Sequence, residues 1–167
     1  MPRIRKITPC LWFDSQAEEA ARFYVSLFEE SGIDTITYYG SEGFERHGRP
    51  AGSVLTVDFR LGGQRYTALN GGPHYVLTPS VSLVVHCASQ DEIDHYWDRL
   101  GAGGDPAAQA CGWLKDRFGL SWQVVPEALL AMIADPDAAR TGRVMSALLT
   151  MKKLDLAALQ RAYNGDH

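Results

Sequence analysis

The chain has 167 residues, 46% of them hydrophobic and 22% charged, which is ordinary globular usage and excludes a disordered, collagen-like or fibrous protein. Its formal charge of −4, with basic residues scattered singly, offers no footprint for nucleic acid or an anionic membrane, so neither partner is expected. The longest apolar runs, such as Val81-Ser82-Leu83-Val84-Val85, fall far short of the roughly 20 residues of a bilayer span.

After the basic start Met1-Pro2-Arg3-Ile4-Arg5-Lys6, the residues Thr8, Pro9, Cys10 and Asp14 interrupt what would be the apolar part of a signal peptide, and a cytoplasmic location is expected. Ile7 to Phe13 alternates, with Ile7, Pro9, Leu11 and Phe13 on one face and Thr8, Cys10 and Trp12 on the other, predicting a strand near an edge or a bulge. Ser15-Gln16-Ala17-Glu18 has the spacing of a capping box, and a helix is predicted from Ala17 to Phe28 with Ala20, Phe23, Tyr24 and Leu27 buried. Ser31-Gly32 stops it, and Ile33 to Tyr39 is rich in strand formers. The segment from Gly40 to Gly52 reads as a loop. Ser53 to Leu61 then alternates again, with Leu55, Val57, Phe59 and Leu61 opposite Val54, Thr56, Asp58 and Arg60. Gly62-Gly63 signals a hairpin turn, and Arg65 to Leu69 is the returning strand.

Past Asn70 to Pro79 the order begins again. Val81 to Cys87 predicts a strand with Ser82, Val84 and His86 on one face, and Ser89-Gln90-Asp91-Glu92 is a second capping box opening a helix with Ile93, Tyr96, Trp97 and Leu100. Any strand within Gly101 to Ala110 is short. Gly112 to Phe118 and Leu120 to Val125 form a hairpin around Phe118-Gly119, in which Asp116 holds the turn and Lys115 and Arg117 are solvated edge residues. Phe23 and Trp97 each lie eight residues after the capping serine, which marks an internal repeat. From Pro126 onward the composition turns helical: Glu127 to Ala134, then Pro136 at a helix start with Ala138 to Met151, then Asp155 to Tyr163. Met145, Leu148, Leu149 and Met151 form a stripe expected to pack onto the body or across a dimer. The three cysteines Cys10, Cys87 and Cys111 make no C-x-x-C pair and are expected to be buried free thiols.

The strand faces turned away from the helices carry Cys10, Trp12, Thr56, Asp58, Ser82, His86, Trp113 and Gln123, a mixture suited to a small, partly aromatic ligand. His86 and Asp58 are the candidates for acid–base work, since an imidazole near a carboxylate titrates close to neutral pH; mutual satisfaction within the interior is the alternative.

A twofold βαβββ repeat resembles the vicinal oxygen chelate (glyoxalase and bleomycin-resistance) superfamily. Three strings resemble its PhnB-like branch, often labelled 3-demethylubiquinone methyltransferase: Cys10-Leu11-Trp12-Phe13-Asp14, Ala68-Leu69-Asn70-Gly71-Gly72-Pro73, and Gly112-Trp113-Leu114-Lys115-Asp116 through Trp122-Gln123-Val124-Val125-Pro126. Met151-Lys152-Lys153-Leu154-Asp155 is similar as well. The resemblance implies an α+β fold across one domain: module one over 1–73, module two over 79–126 and helices over 127–163, forming an open barrel and a homodimer. It also implies metal-ligand positions at Thr8, Thr67, Ser82 and Gln123; a shifted alignment brings in Ala68 or Cys10, and His86 is a further donor. Only Gln123 among the four is a plausible ligand, so neither a metal nor another cofactor is expected. Methyl transfer from S-adenosylmethionine commonly uses a glycine-rich turn opening a helix, and Asn70-Gly71-Gly72-Pro73 leads into Tyr75 and Val76 instead. The expected function is metal-free binding of a small molecule, with a metal-dependent lyase or dioxygenase, or the labelled methyltransferase, as the enzymatic alternative.

Overall fold

Alternating apolar residues place strands β1 (Cys10–Phe13), β2 (Gly32–Tyr38), β3 (Val54–Leu61) and β4 (Gln64–Asn70) in one sheet of order β1-β4-β3-β2, with β1 parallel to β4 and the other pairs antiparallel. These elements come from a computed structural model, which describes residues 6–166. Met1 to Arg5, the basic stretch of the leader reading, and His167 lie outside the described residues. The chain divides into two units, Met1–Leu77 and Thr78–His167.

In the first unit, helix α1 (Ala17–Val25) covers one face of the sheet. Its small residues Ala17, Ala20 and Ala21 let the helix approach closely, and Tyr24 fills the space between them and Phe59, ring to ring at 6.4 Å. Leu11, Phe13, Val57, Phe59, Leu61 and Ala68 are the sheet's buried contribution. Gly62 and Gly63, at φ +53 and +74, make the tight turn between β3 and β4, a conformation that glycine adopts without strain. The strand expected from Ile7 starts only at Cys10. Pro9 has no N–H to continue the ladder, although its carbonyl still accepts from Thr67 at 3.0 Å.

The first capping box is not formed. Asn70 Oδ1, from the end of β4, accepts the Ala17 N–H at 2.8 Å, while Asn70 Nδ2 donates to the Val54 carbonyl at 3.1 Å and Glu18 turns to Arg22 at 2.7 Å. A side chain distant in sequence therefore caps α1, which ends at Val25 and leaves the expected Phe23 and Leu27 only half-buried. Asn70→Ala is expected to lower stability by about 1–2 kcal/mol in urea unfolding, because the first helical amide and the Val54 carbonyl both lose their partner. An unchanged midpoint would show that water substitutes for the amide. Within the expected loop a short helix, α2 (Phe44–His47), also forms.

The second unit repeats the plan with β5 (Ser82–Cys87), helix α3 (Gln90–Gly101), β6 (Trp113–Lys115) and β7 (Ser121–Pro126), in a sheet of order β5-β7-β6 with β5 parallel to β7. Here the capping box does form: Ser89 Oγ accepts the Glu92 N–H at 3.2 Å, and Glu92 reaches back to the Ala88 N–H at 2.7 Å. The position matching Asn70 is Pro126, which has no acceptor side chain to lend.

The expectation of a complete βαβββ second module is corrected. Pro106–Ala108 is a turn of 3-10 helix where the further strand would lie, and only the isolated bridge Ala110–Trp113 pairs there. Gly104 explains the geometry, since a Cβ at that position would sit 2.1 Å from the Lys115 carbonyl: the segment crosses β6 backbone to backbone.

Helices α4 (Glu127–Ala134), α5 (Ala138–Leu148) and α6 (Leu156–Asn164) complete the second unit. Val125, Leu129, Met132, Val144, Leu148, Leu154 and Leu159 form their common core, with Met151 packed against it. Asp137, rather than Pro136, starts α5 by accepting from Ala139 and Arg140. Of the expected stripe, Leu148 is buried, whereas Met145 and Leu149 are exposed. The segment after α5 is strapped down by Cys111 N–H to Met151, Gly112 N–H to Lys152, and Lys153 to Asp94 at 2.9 Å. Among the described residues no helix is long and apolar enough to cross a membrane.

Candidate functional site

The face of the first sheet turned away from α1 is built by strand register. Cys10 lies opposite Thr67 and Thr67 opposite Asp58, forming one row across β1, β4 and β3. The next row is Trp12, Leu69, Thr56 and Thr37. In the first row Thr67 Oγ1 donates to Asp58 Oδ1 at 2.6 Å, and in the second the Thr37 and Thr56 hydroxyls meet at 2.5 Å. Beyond Asp58, Arg60 binds Asp34 at 2.9 Å and Arg65 approaches the same carboxylate at 3.8 Å, so both guanidinium groups share one acid at the rim.

Trp12 is held from three sides. Its Nε1–H donates to the Gly72 carbonyl at 2.9 Å, Tyr75 meets the indole edge-on at 4.9 Å and 79°, and Gly71 lies so close that a Cβ there would stand 2.2 Å from the ring. The Asn70-Gly71-Gly72-Pro73 string thus serves a structural purpose: Asn70 caps a helix and the glycine pair cradles an indole. The parts played by Thr67, Gly71, Gly72 and Tyr75 escaped sequence reasoning. Tyr75, an aromatic residue in a loop next to glycines and proline, was the available signal.

Partial burial pushes the Cys10 thiol up, and the negative charge of Asp58 pushes it further the same way. Burial, with Glu92 and Glu127 adding, pushes Cys87 up to about 11. Of the three thiols expected to be buried only Cys87 is; Cys111 is half-buried and Cys10 is exposed on the open sheet face. With iodoacetamide at about pH 8, Cys87 is therefore expected to stay unmodified in the folded protein and Cys10 to react slowly for an exposed thiol. Asp58→Asn should speed Cys10 by about two- to threefold, as the carboxylate's repulsion of the thiolate is removed. An unaltered rate would mean that the two groups are not neighbours.

On the second unit's corresponding face, Gln123 Nε2 donates to Ser82 Oγ at 2.9 Å, and Gln123 lies opposite both Val84 and Trp113. Counting back from the paired strand ends, Phe13 with Asn70 and Cys87 with Pro126, Thr67 matches Gln123, Trp12 matches His86 and Asp58 matches Trp113. The halves therefore carry equivalent rows with the aromatic ring on different strands. His86 is exposed on β5, in the second unit, while Asp58 in the first has Thr67 as its partner. Asp116, 3% exposed, holds its turn as expected: Oδ1 accepts from Phe118 N–H at 2.8 Å and Leu120 N–H at 3.0 Å, and Oδ2 from Trp122 Nε1–H at 2.8 Å. Arg117 is exposed over the Phe118 ring, and Lys115 is half-buried rather than fully solvated.

The donor chemistry does not suit a divalent ion. Thr8 precedes β1, the Thr67 hydroxyl is committed to Asp58, and Ser82 and Gln123 bond each other; three of the four positions are hydroxyls and the fourth is a neutral amide. Among the described residues no three His, Cys, Asp or Glu side chains form a group that could hold a metal.

Two cavities lie apart from these faces. One of about 310 Å³ is lined by Ser15, Glu18, Arg49, Pro50, Ser53, Val54 and Asn70. The other, about 510 Å³, is an open groove along the small residues of α5 and α6, including Ala138, Gly142, Ser146 and Ala162. None of the sequence-predicted site residues lines either one.

Comparison with known proteins bears on the family and the fold. A PhnB protein from Bacillus cereus, described as a 3-demethylubiquinone-9 3-methyltransferase, is 33% identical, with a TM-score of 0.63 over 73% of this chain and 99% of that one. Protein PA1353 from Pseudomonas aeruginosa, 21% identical, shares the fold with a TM-score of 0.55 over 74% of this chain and 98% of that one. No curated protein matches the chain. The sequence profile of the family described as 3-demethylubiquinone-9 3-methyltransferase matches residues 5–125, which take in helices α1 and α3 and both sheets except Pro126, the last residue of β7. The chain belongs to this PhnB-like family.

Proposed function

We propose that the protein binds a small, partly aromatic molecule that carries a hydrogen-bond donor, without a metal or other cofactor. The observation that carries this reading is the fixed Trp12 indole on the same open sheet face as Asp58, a half-buried carboxylate whose Oδ1 accepts from Thr67. A ring fixed in advance loses little freedom when a ligand stacks on it, and a half-buried carboxylate favours a partner that donates. Cys10 and Thr56 flank these groups, and on the second unit's own open face Ser82, His86, Trp113 and Gln123 are proposed as ligand-contacting residues in their own right. A homodimer in the cytoplasm is proposed as the working form.

Calorimetric titration with tyramine and with catechol tests the reading. Both should bind, and Trp12→Ala and Asp58→Asn should each weaken them by about tenfold, the scale of one charged hydrogen bond or one stacking contact. Equal affinity in both variants would overturn it.

The family's description favours a second reading, methyl transfer to an aromatic hydroxyl. It would use the same face, with Asp58 accepting the hydroxyl proton. A rise in melting temperature with S-adenosylmethionine supports that reading, and its absence together with tyramine or catechol binding supports the first.

A further inference from the structure

The loop over 40–53 has no counterpart of equal length in the second half and no part in the lining described above. Its ends are tied together by Tyr39 N–H to the Ser53 carbonyl and Gly52 N–H to the Tyr39 carbonyl, both at 2.8 Å. Between them stands His47. Its Nδ1 accepts the backbone N–H of Arg49 at 2.9 Å, so the proton of the neutral ring is on Nε2, which faces the Glu42 carbonyl at 3.0 Å. The ring lies 4.6 Å from that of Tyr39, whose hydroxyl donates to the Asn70 carbonyl at 2.5 Å.

Arg49 carries the arrangement onward. Its guanidinium donates to the Asp14 carboxylate at 2.6 Å and also to the Asp14 carbonyl, which accepts the Gly72 N–H at 3.2 Å. A Cβ on Gly72 would stand 3.5 Å from that guanidinium. Gly72 is the residue whose carbonyl holds the Trp12 indole. A continuous series of contacts thus runs from His47 through Arg49, Asp14 and Gly72 to Trp12.

We infer that the 40–53 loop is a pH-gated clasp, in which neutral His47 orders Arg49 and thereby holds the Trp12 platform in its binding position. Resting on the ligand-binding reading above, this adds the regulation of that site. Protonation would place a hydrogen on Nδ1 facing the Arg49 N–H, two donors in opposition, and the imidazole is the side chain that changes charge between about pH 5 and 8. The other charged or titratable groups around the ring are Glu42, Tyr39 and Arg49, with Glu45 and Arg46 beside it on α2; His74 lies on the far side of Arg49, next to Gly72.

The test uses the full chain labelled with 5-fluorotryptophan, its Trp12 fluorine resonance assigned through Trp12→Phe. That resonance should move between about pH 5 and 8, the range over which imidazole side chains in general change charge. His47→Gln, which keeps a donor and an acceptor without the charge change, should flatten the response, and His74→Gln should leave it. Tyramine affinity should fall by about threefold or more from pH 8 to 5 in the wild type, as the competent fraction falls, and stay level in His47→Gln. A pH-invariant Trp12 resonance, an equal response in His47→Gln, or a level wild-type tyramine affinity overturns the clasp. Absence of tyramine binding at every pH overturns the ligand reading alone, because the fluorine titration still decides the clasp.

Discussion

Replacing Asp116 with alanine should lower the unfolding free energy by about 3–5 kcal/mol, the largest loss expected from any single substitution considered for this chain. The carboxylate is 3% exposed and accepts from Phe118 N–H, Leu120 N–H and Trp122 Nε1–H. Alanine would orphan three donors at once in a place that water reaches poorly. Trp122 would lose its anchor in the sheet's apolar face, where it packs with Leu114 and Val124 among the fully buried side chains. Asp116→Asn should cost less, since its Oδ1 still serves the two turn amides while its new NH2 opposes the indole N–H. Urea unfolding followed by far-UV circular dichroism gives both values. A loss below about 1 kcal/mol for alanine would mean that the turn holds itself and that the carboxylate is there for another purpose.

Gly71→Ala should have the second largest effect, and the only one of the pair felt at the ligand. The added carbon would lie 2.2 to 2.4 Å from three carbons of the Trp12 ring, well inside contact distance. The indole cannot step aside without giving up its hydrogen bond to Gly72 and its edge contact with Tyr75. Overpacking of this kind destabilises by about 1–3 kcal/mol. Because the relief comes from moving Trp12, affinity for aromatic ligands should fall by about tenfold or more even where the protein remains folded. Full affinity in a folded Gly71→Ala variant would show that the ligand does not use Trp12.

The parts of the fold that sequence reasoning reached were those written in local pattern. The alternation of Val57, Phe59 and Leu61, the Gly62-Gly63 turn, the Ser89–Glu92 box and the bounds of α4 each depend on residues a few positions apart. What escaped depends on distant partners. Ser15-x-x-Glu18 is a good capping pattern, but Asn70 arrives from 53 residues away and takes its place. Gly101 to Ala110 was legible as a poor strand, but neither the 3-10 turn there nor the approach of Gly104 to the backbone of Lys115 has a sequence signature. The site was legible as a list of outward-facing residues and not as an arrangement. Alternation put Cys10, Trp12, Thr56 and Asp58 on one face, as the register shows, but not that Thr67 is the partner of Asp58 or that a pair of glycines shapes the seat of an indole. Two helices were drawn too long for a related reason, as α1 and α5 end where the chain turns to make tertiary contacts rather than where apolar spacing stops.

The central claim is that the open face of the first sheet is a binding surface for donor-bearing aromatic molecules. Titrating nitrogen-15-labelled protein with a panel of small aromatic alcohols and amines tests it directly. The account predicts that the amides of Cys10, Thr56, Asp58 and Thr67 and the indole N–H of Trp12 shift together and saturate, with Asp58→Asn weakening the response by about tenfold. Shifts confined to the α5–α6 groove, or saturable binding that Asp58→Asn and Trp12→Ala leave intact, would contradict it.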